Sequence, residues 1–169
     1  LTDGRITADD QTIIGNAVPD IIGGITQEFR YKGFRLALLF NYSIGNDLRW
    51  GTQASNINFG NSFLSENKFA LVMNRWTPDN PTDQPRAVIG DPNNNTRISS
   101  YYVHDGSFMR LKNINFSYSF TETLLKRSGF LSSASLFVSA ANIFTITGYP
   151  GLNPETSNLY NDDVSSGLD

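Results

Sequence analysis

The single histidine, His104, stands beside Asp105, with Ser99, Ser100 and Ser107 close to it in the chain. These are the residue types of a nucleophile, a base and an orienting acid. A triad is made by convergence in space, however, and none of these serines sits in a nucleophile elbow, so the grouping does not predict catalysis. Asp162 and Asp163 are adjacent, and neighbours on an extended chain point apart, which does not suit the paired acid and base of a glycosidase. Cysteine is absent, which removes thiolate chemistry, disulfides and zinc–thiolate sites, and no glycine loop of the phosphate-cradling kind occurs. No enzyme is expected.

A metal is suggested at one place. In the opening LTDGRITADD, Gly4, Arg5, Ile6 and Asp10 fall at the offsets that the turn glycine, a carbonyl ligand, an apolar residue and the closing acid take in a calcium loop of the EF-hand kind, with Asp3 preceding the glycine. Asp3 and Asp10 are therefore the candidate calcium ligands, as half of such a loop. No other cofactor is required. The Asn-x-Ser/Thr triplets at Asn41, Asn94 and Asn115 read as chance, because two of them fall on predicted strands. Aromatic residues outside the regular segments, Trp50, Trp76, Tyr101, Tyr102, Tyr149 and Tyr160, are candidates for stacking on a sugar or a partner. For Trp76, at the end of an apolar stripe, packing within its own loop is the favoured reading.

Charge sets further bounds. Thirteen Lys and Arg against sixteen Asp and Glu give a net charge of −3, and the cations are scattered, so no nucleic-acid partner is expected. Charged residues make up 17% and aromatics 12%, against roughly 25% charged in an average soluble domain. Low charge with abundant Asn, Ser, Thr and aromatics suits outer-membrane barrels and extracellular glycan-binding sandwiches alike. No run of about 18 apolar residues is present, which excludes a helical span and says nothing of a β-barrel.

The elements that would position these residues are long strands. In 105–120, DGSFMRLKNINFSYSF, Ile114, Phe116, Tyr118 and Phe120 alternate with Asn113, Asn115, Ser117 and Ser119, giving one aromatic and apolar face and one polar, uncharged face. Met109 and Leu111 lie on the opposite parity, which predicts a bulge or a change of environment near Lys112. Ile21 to Tyr42 reads as a hairpin turning at Lys32-Gly33, a two-residue connection that brings the apolar sets of both strands to one face. Tyr31, Phe34 and Tyr42 then fall at the strand ends, where aromatic girdles belong. The strands are predicted at about 21–32, 34–45, 108–120 and 134–147. In the last, Phe137 and Ile143 break the alternation. Between the second and third lies a stretch of about 60 residues, 46–105, rich in turn residues, with helical character only from Ser65 to Trp76; such a loop is rare in a compact domain unless it is functional. A second long loop is predicted over 148–169. The connection 121–133 is short, with an amphipathic turn around Leu124 and Leu125. Strands joined short, long, short, long fit a barrel with short turns on one side of a membrane and long loops on the other. Four strands do not close a barrel, so on that reading the chain is a section of a larger one. The alternative is a soluble extracellular β-sandwich that binds glycans.

Several strings point one way. Arg75-Trp76-Thr77-Pro78-Asp79-Asn80-Pro81 followed by Pro85-Arg86, the segment Asp105 to Asn113, Thr12 to Asn16 with Pro19-Asp20, Tyr31 to Phe34, and Ala141 to Thr145 with Gly148-Tyr149 resemble, in order and spacing, the C-terminal part of SusC/RagA-type TonB-dependent outer-membrane transporters. The resemblance implies an all-β fold, a transmembrane antiparallel barrel of 22 strands, with a plug domain and a TonB-contacting segment before Leu1 and a closing strand after Asp169. It also implies a place in the bacterial outer membrane, contact with outer-membrane lipid, a SusD-like surface lipoprotein and the TonB complex as partners, and import of oligosaccharides or peptides. On that reading Glu28, Arg30, Asn113, Asn115, Ser117 and Ser119 face the lumen, and Phe29, Leu36, Leu38, Phe40, Ile114, Phe116 and Tyr118 face lipid.

Overall fold

A computed structural model describes residues 7–57, 67–126 and 129–155. The chain divides into two compact units, 19–45 with 106–149, and 46–105 with the two terminal stretches. The first is a single antiparallel sheet of four strands, β1 (Ile21–Tyr31), β2 (Phe34–Ile44), β5 (Phe108–Ser119) and β6 (Ser135–Thr147), in the order β1-β2-β5-β6. Each strand pairs with the strand of this sheet that follows it along the chain, so the sheet is a meander with no crossover.

The β1–β2 hairpin forms where the sequence predicts it. Lys32 and Gly33 take φ of 44° and 87°, the left-handed pair of a type I′ turn, whose twist matches that of the strands it joins. Tyr31 then pairs with Phe34, and the register runs unbroken to Ile21 opposite Ile44. Gly33 is required twice over: its φ is positive, and a Cβ there would lie 2.7 Å from the Ser119 carbonyl oxygen, while its own carbonyl accepts from Ser119 N at 2.9 Å. Gly33→Val is expected to destabilise the sheet by about 2 kcal/mol or more, from the left-handed backbone and the steric conflict together. The check is the urea midpoint of the purified protein; an unchanged midpoint would show that the turn relaxes to another type.

The third strand does not follow a simple period of two. Leu39 pairs with Asn113 but Phe40 pairs with Leu111, so Lys112 is an extra residue in β5. Opposite it on β6, Asn142 and Ile143 lie between the pairs Asn113–Ala141 and Leu111–Phe144. Asn142 takes φ of 51°, which asparagine tolerates better than most residues. A bulge therefore sits at the parity switch predicted near Lys112, and a matching irregularity explains Ile143. The connection after β5 holds the short helix α2 (Glu122–Lys126), with Leu125 buried.

The second unit has little regular structure. β3 (Asp47–Arg49) and β4 (Val103–Asp105) pair antiparallel, α1 spans Gly51–Asn56, and 3-10 turns occur at Ala70–Asn74 and Ser100–Tyr102. Its core is a cluster of Ala54, Ile57 and Tyr102 with Phe69, Val72 and Tyr101 against it. The helical character expected over Ser65 to Trp76 is a single 3-10 turn at Ala70–Asn74, and Ser65 itself lies outside the described residues. The α-helix forms instead at Gly51–Asn56. Asn74, at the end of that 3-10 turn, is tied to the turn after it, its carbonyl accepting from Thr82 Oγ1 at 2.8 Å.

Candidate functional site

The register assigns every strand residue to a face, because residues directly opposite in an antiparallel pair point to the same side. One face carries Ile25, Phe29 and Tyr31 of β1, Phe34, Leu36, Leu38 and Phe40 of β2, Ile114, Phe116 and Tyr118 of β5, and Leu136, Val138 and Ala140 of β6. The bulge brings Leu111 and Met109 to this face too, opposite Phe40 and Tyr42, with Phe144 and Ile146 beside them. Without the extra residue at Lys112 the sequence parity would place them on the other side. All seven residues predicted to share the lipid-facing set lie on this one face.

That face has no cover within its own sheet. Phe29 is 54% exposed, Phe116 42%, Val138 62% and Ile146 63%. A soluble sandwich buries such a face against a second sheet, whereas here large apolar side chains stand open across four strands, far more apolar surface than a soluble monomer ordinarily exposes. Aromatic rings gather at the turn end: Phe34 lies 4.5 Å from Tyr118 and 5.8 Å from Phe116 between ring centroids, Tyr118 lies 5.0 Å from Phe120, and Lys32 Nζ stands 5.2 Å over the Tyr31 ring. Toward the other end, the Tyr42 ring lies across Gly23, whose missing Cβ would be 2.5 Å from the Tyr42 hydroxyl. Rings with a polar tip at both ends of an apolar band are the pattern of membrane interfaces.

The opposite face carries the other predicted set together: Glu28, Arg30, Asn113, Asn115, Ser117 and Ser119. Glu28 is the hub of an ion cluster, its Oε1 accepting from Arg30 and its Oε2 from Arg35 Nη2 at 2.7 Å. Arg110 Nε donates to Thr145 Oγ1 at 2.8 Å on the same face, and Asn115 Nδ2 donates to Asn113 Oδ1. Thr26, Arg35, Asn41 and Ser139 share this face. The face also holds Ile22 and Phe137, both 73% exposed; Phe137, opposite Ser117, is why β6 departs from clean alternation.

The remaining candidates fare differently. Asp10 is engaged locally: its Oδ2 accepts from Thr7 N at 2.8 Å, capping the 3-10 turn Ala8–Asp10. Asp3, the other candidate calcium ligand, lies outside the described residues, and among the described residues no group of three or more His, Cys, Asp or Glu is placed to hold a metal. His104 Nε2 meets Gln53 Oε1 at 3.0 Å, with the Trp50 ring edge-on at 5.9 Å. The loop aromatics are largely structural. Tyr102 is 1% exposed and Tyr149 5%; Tyr101 donates to Gln84 Oε1 at 2.7 Å; Trp50 packs on Phe69 at 5.4 Å; and Trp76 lies against the Arg86 guanidinium at 5.5 Å. Stacking on a sugar is thus closed to Tyr102 and Tyr149, because both rings are buried. Tyr160 lies outside the described residues.

These observations define an all-β chain built on an antiparallel meander with an apolar and a polar face, whose facing is preserved through a bulge. No protein-family model matches the chain. Among curated proteins it is 38% identical over 161 residues, 95% of its length, to TonB-dependent receptor P3 of Formosa agariphila, 34% identical over 154 residues to TonB-dependent receptor P39 of the same organism, and 26% identical over 167 residues to TonB-dependent receptor SusC of Bacteroides thetaiotaomicron. It spans 15% of the length of each. Among solved structures it superposes on the RagAB peptide transporter with a TM-score of 0.78 at 25% identity, over 98% of this chain and 17% of that one. The RagAB peptide importer in its closed-closed state gives 0.77 at 26% identity, with the same coverage. The chain belongs to the SusC/RagA-type TonB-dependent receptors, as a segment of one. Its place is that of the family, the bacterial outer membrane, and the family consists of receptors and transporters, not enzymes.

Proposed function

We propose that β1, β2, β5 and β6 are a section of the wall of a 22-stranded transmembrane barrel. Phe29, Leu36, Leu38, Phe40, Ile114, Phe116 and Tyr118 face lipid, and Glu28, Arg30, Asn113, Asn115, Ser117 and Ser119 face the lumen. The observation that carries this reading is the constancy of the apolar face across four strands and through the Lys112 bulge. Strand length agrees with it. A strand of 11 residues is roughly 36 Å long and, tilted by about 40°, rises about 28 Å, against an apolar band about 25 Å tall.

In this reading the receptor imports nutrients, oligosaccharides or peptides, with a SusD-like lipoprotein closing it from outside. The lid traps substrate, and energy delivered through TonB, acting on a part of the receptor outside this chain, displaces the plug. Substrate then passes along the polar wall. The residues of this segment contribute hydrogen-bonding surface to that path and perform no covalent step. Nothing in the path requires a calcium ion at Asp3 and Asp10.

Single cysteines test the assignment, since this segment has none of its own. In cells carrying the full-length receptor, Asn115→Cys and Ser117→Cys are expected to react with a small hydrophilic maleimide, and Phe116→Cys only with a lipid-soluble one. Equal labelling of Asn115→Cys and Phe116→Cys by the hydrophilic reagent would sink the wall assignment.

A further inference from the structure

The stretch 28–35, EFRYKGFR, carries three cations against one acid, in a chain whose net charge is −3. The type I′ turn gathers them at one tip. Arg30 and Arg35 stand directly opposite one another across the hairpin, and Glu28 bridges them, its Oε1 accepting from Arg30 and its Oε2 from Arg35 Nη2 at 2.7 Å. One carboxylate thus serves two guanidiniums, each a planar fork of five N–H donors. Lys32 Nζ lies 5.2 Å over the Tyr31 ring, a contact that orients the ammonium and leaves its charge in place. Among the described residues no carboxylate is paired with Lys32. Glu122, the acid that follows β5 at this end, is paired with Lys126 at 3.7 Å.

The cations share one open concavity of about 390 Å³, with Arg30, Tyr31, Lys32, Phe34, Arg35 and Ser119 among its walls. Those walls come from both faces of the sheet. Arg30, Arg35 and Ser119 belong to the polar face and Tyr31 and Phe34 to the apolar one, with the Lys32-Gly33 turn between them. The concavity therefore wraps the tip of the hairpin. On its apolar side the Phe34 ring continues into Tyr118 at 4.5 Å and Phe116 at 5.8 Å. A cationic cup whose lip runs on into an exposed aromatic surface fits a molecule with an anionic head and an apolar tail. A soluble anion would engage the cations and leave the rings unused.

We infer that the β1–β2 turn tip is a binding site for the phosphodiester head of an anionic membrane phospholipid, with the acyl chains lying along the aromatic face. It rests on the apolar face being turned to lipid, and it adds the headgroup chemistry recognised at this rim. In the proposed wall the tip lies where the apolar band ends, at the depth of the headgroups. Lys32 meets the phosphate as a point charge, and Arg30 and Arg35 supply planar donors for its oxygens.

The test is native mass spectrometry of the purified receptor in detergent, titrated with dioleoyl phosphatidylglycerol or with dioleoyl phosphatidylcholine, which differ only in the headgroup. Phosphatidylglycerol is expected to bind about tenfold more tightly. Lys32→Asn should weaken it about fivefold, as loss of one cation near a membrane surface implies, with phosphatidylcholine unchanged. Asn-Gly is itself a favoured type I′ pair, so this variant removes the charge and keeps the turn. Arg30→Gln should weaken phosphatidylglycerol to a similar degree, and Lys126→Met, outside the concavity, should leave it unchanged. Equal binding of the two lipids, indifference of phosphatidylglycerol to both Lys32→Asn and Arg30→Gln, or an equal loss in Lys126→Met overturns the proposal. Displacement of the lipid by an equimolar amount of inorganic phosphate overturns it too, since the site would then be one for soluble anions. Phe116→Cys separates this from failure of the wall assignment: labelling only by the lipid-soluble maleimide with no headgroup preference removes the site alone, whereas labelling by the hydrophilic reagent removes the wall.

Discussion

Leu38→Arg is expected to destabilise the assembled receptor by about 2–4 kcal/mol, the cost of a cationic side chain on the lipid face of a barrel near the bilayer midplane. Leu38 pairs with Gln27 on one side and Ile114 on the other, midway along its strand, so in the proposed wall it lies at the depth where that cost is greatest. Phe116→Arg, two pairs nearer the turn, should cost somewhat less, because the penalty falls toward the interface. On the opposite face, Asn115→Arg should fall within about 0.5 kcal/mol of the unaltered protein, as solvated surface substitutions do. The measurement is the urea midpoint of the heat-modifiable, folded form in detergent, together with the amount recovered in outer membranes. The contrast between Leu38 and Asn115 is the decisive quantity. If Leu38→Arg and Asn115→Arg behave alike, the exposed apolar face is not turned to lipid, and a protein surface must cover it.

The same contrast shows what could be read from residues alone. The hairpin was legible in full because Lys32-Gly33 admits a type I′ turn and alternation on either side runs for ten residues, so turn chemistry and period demand the same register. The Lys112 bulge was legible from the parity of Met109 and Leu111 against Phe116 and Tyr118. Its counterpart on β6 was half visible, since Ile143 breaks the pattern, but nothing in a single strand says that Asn142 will take a positive φ; that follows from pairing with a neighbour that is itself bulged.

Residues 46–105 were legible only as a loop. α1 begins at Gly51 with no side-chain cap from Trp50 and contains Thr, Ser and Asn, all weak helix formers, so propensity argues against the helix that forms. It is held by tertiary packing of Ala54 and Ile57 on Tyr102. The pairing of His104 with Gln53 likewise joins residues far apart in the chain. Short strands such as β3 and β4, three residues each, carry no period at all.

That packing makes Tyr102→Ala the second large effect, about 3–5 kcal/mol against the folded form of the 46–105 unit, the range for truncating a buried aromatic. Tyr102 is 1% exposed, its ring meets Tyr101 edge-on at 5.0 Å, its carbonyl accepts from Trp50 N at 2.7 Å, and its hydroxyl donates to the Asn95 carbonyl at 2.6 Å. Tyr102→Phe keeps the ring and loses only the hydroxyl bond, so it should cost about 1 kcal/mol. Burial, with the nearby Asp91 adding to it, pushes the Tyr102 hydroxyl up to about 12, so the folded unit resists its ionisation. Its contribution to stability is complete below the unfolded value near 10 and is lost as pH rises from there through about 12, a decline that Tyr102→Phe should blunt. Hydrogen exchange of the Trp50 and Tyr102 amides in the full-length receptor reads both effects. Faster exchange in Tyr102→Ala, with protection of β1, β2, β5 and β6 unchanged, would show the loop unit opening on its own, whereas no change at Trp50 would remove Tyr102 from the role of its keystone.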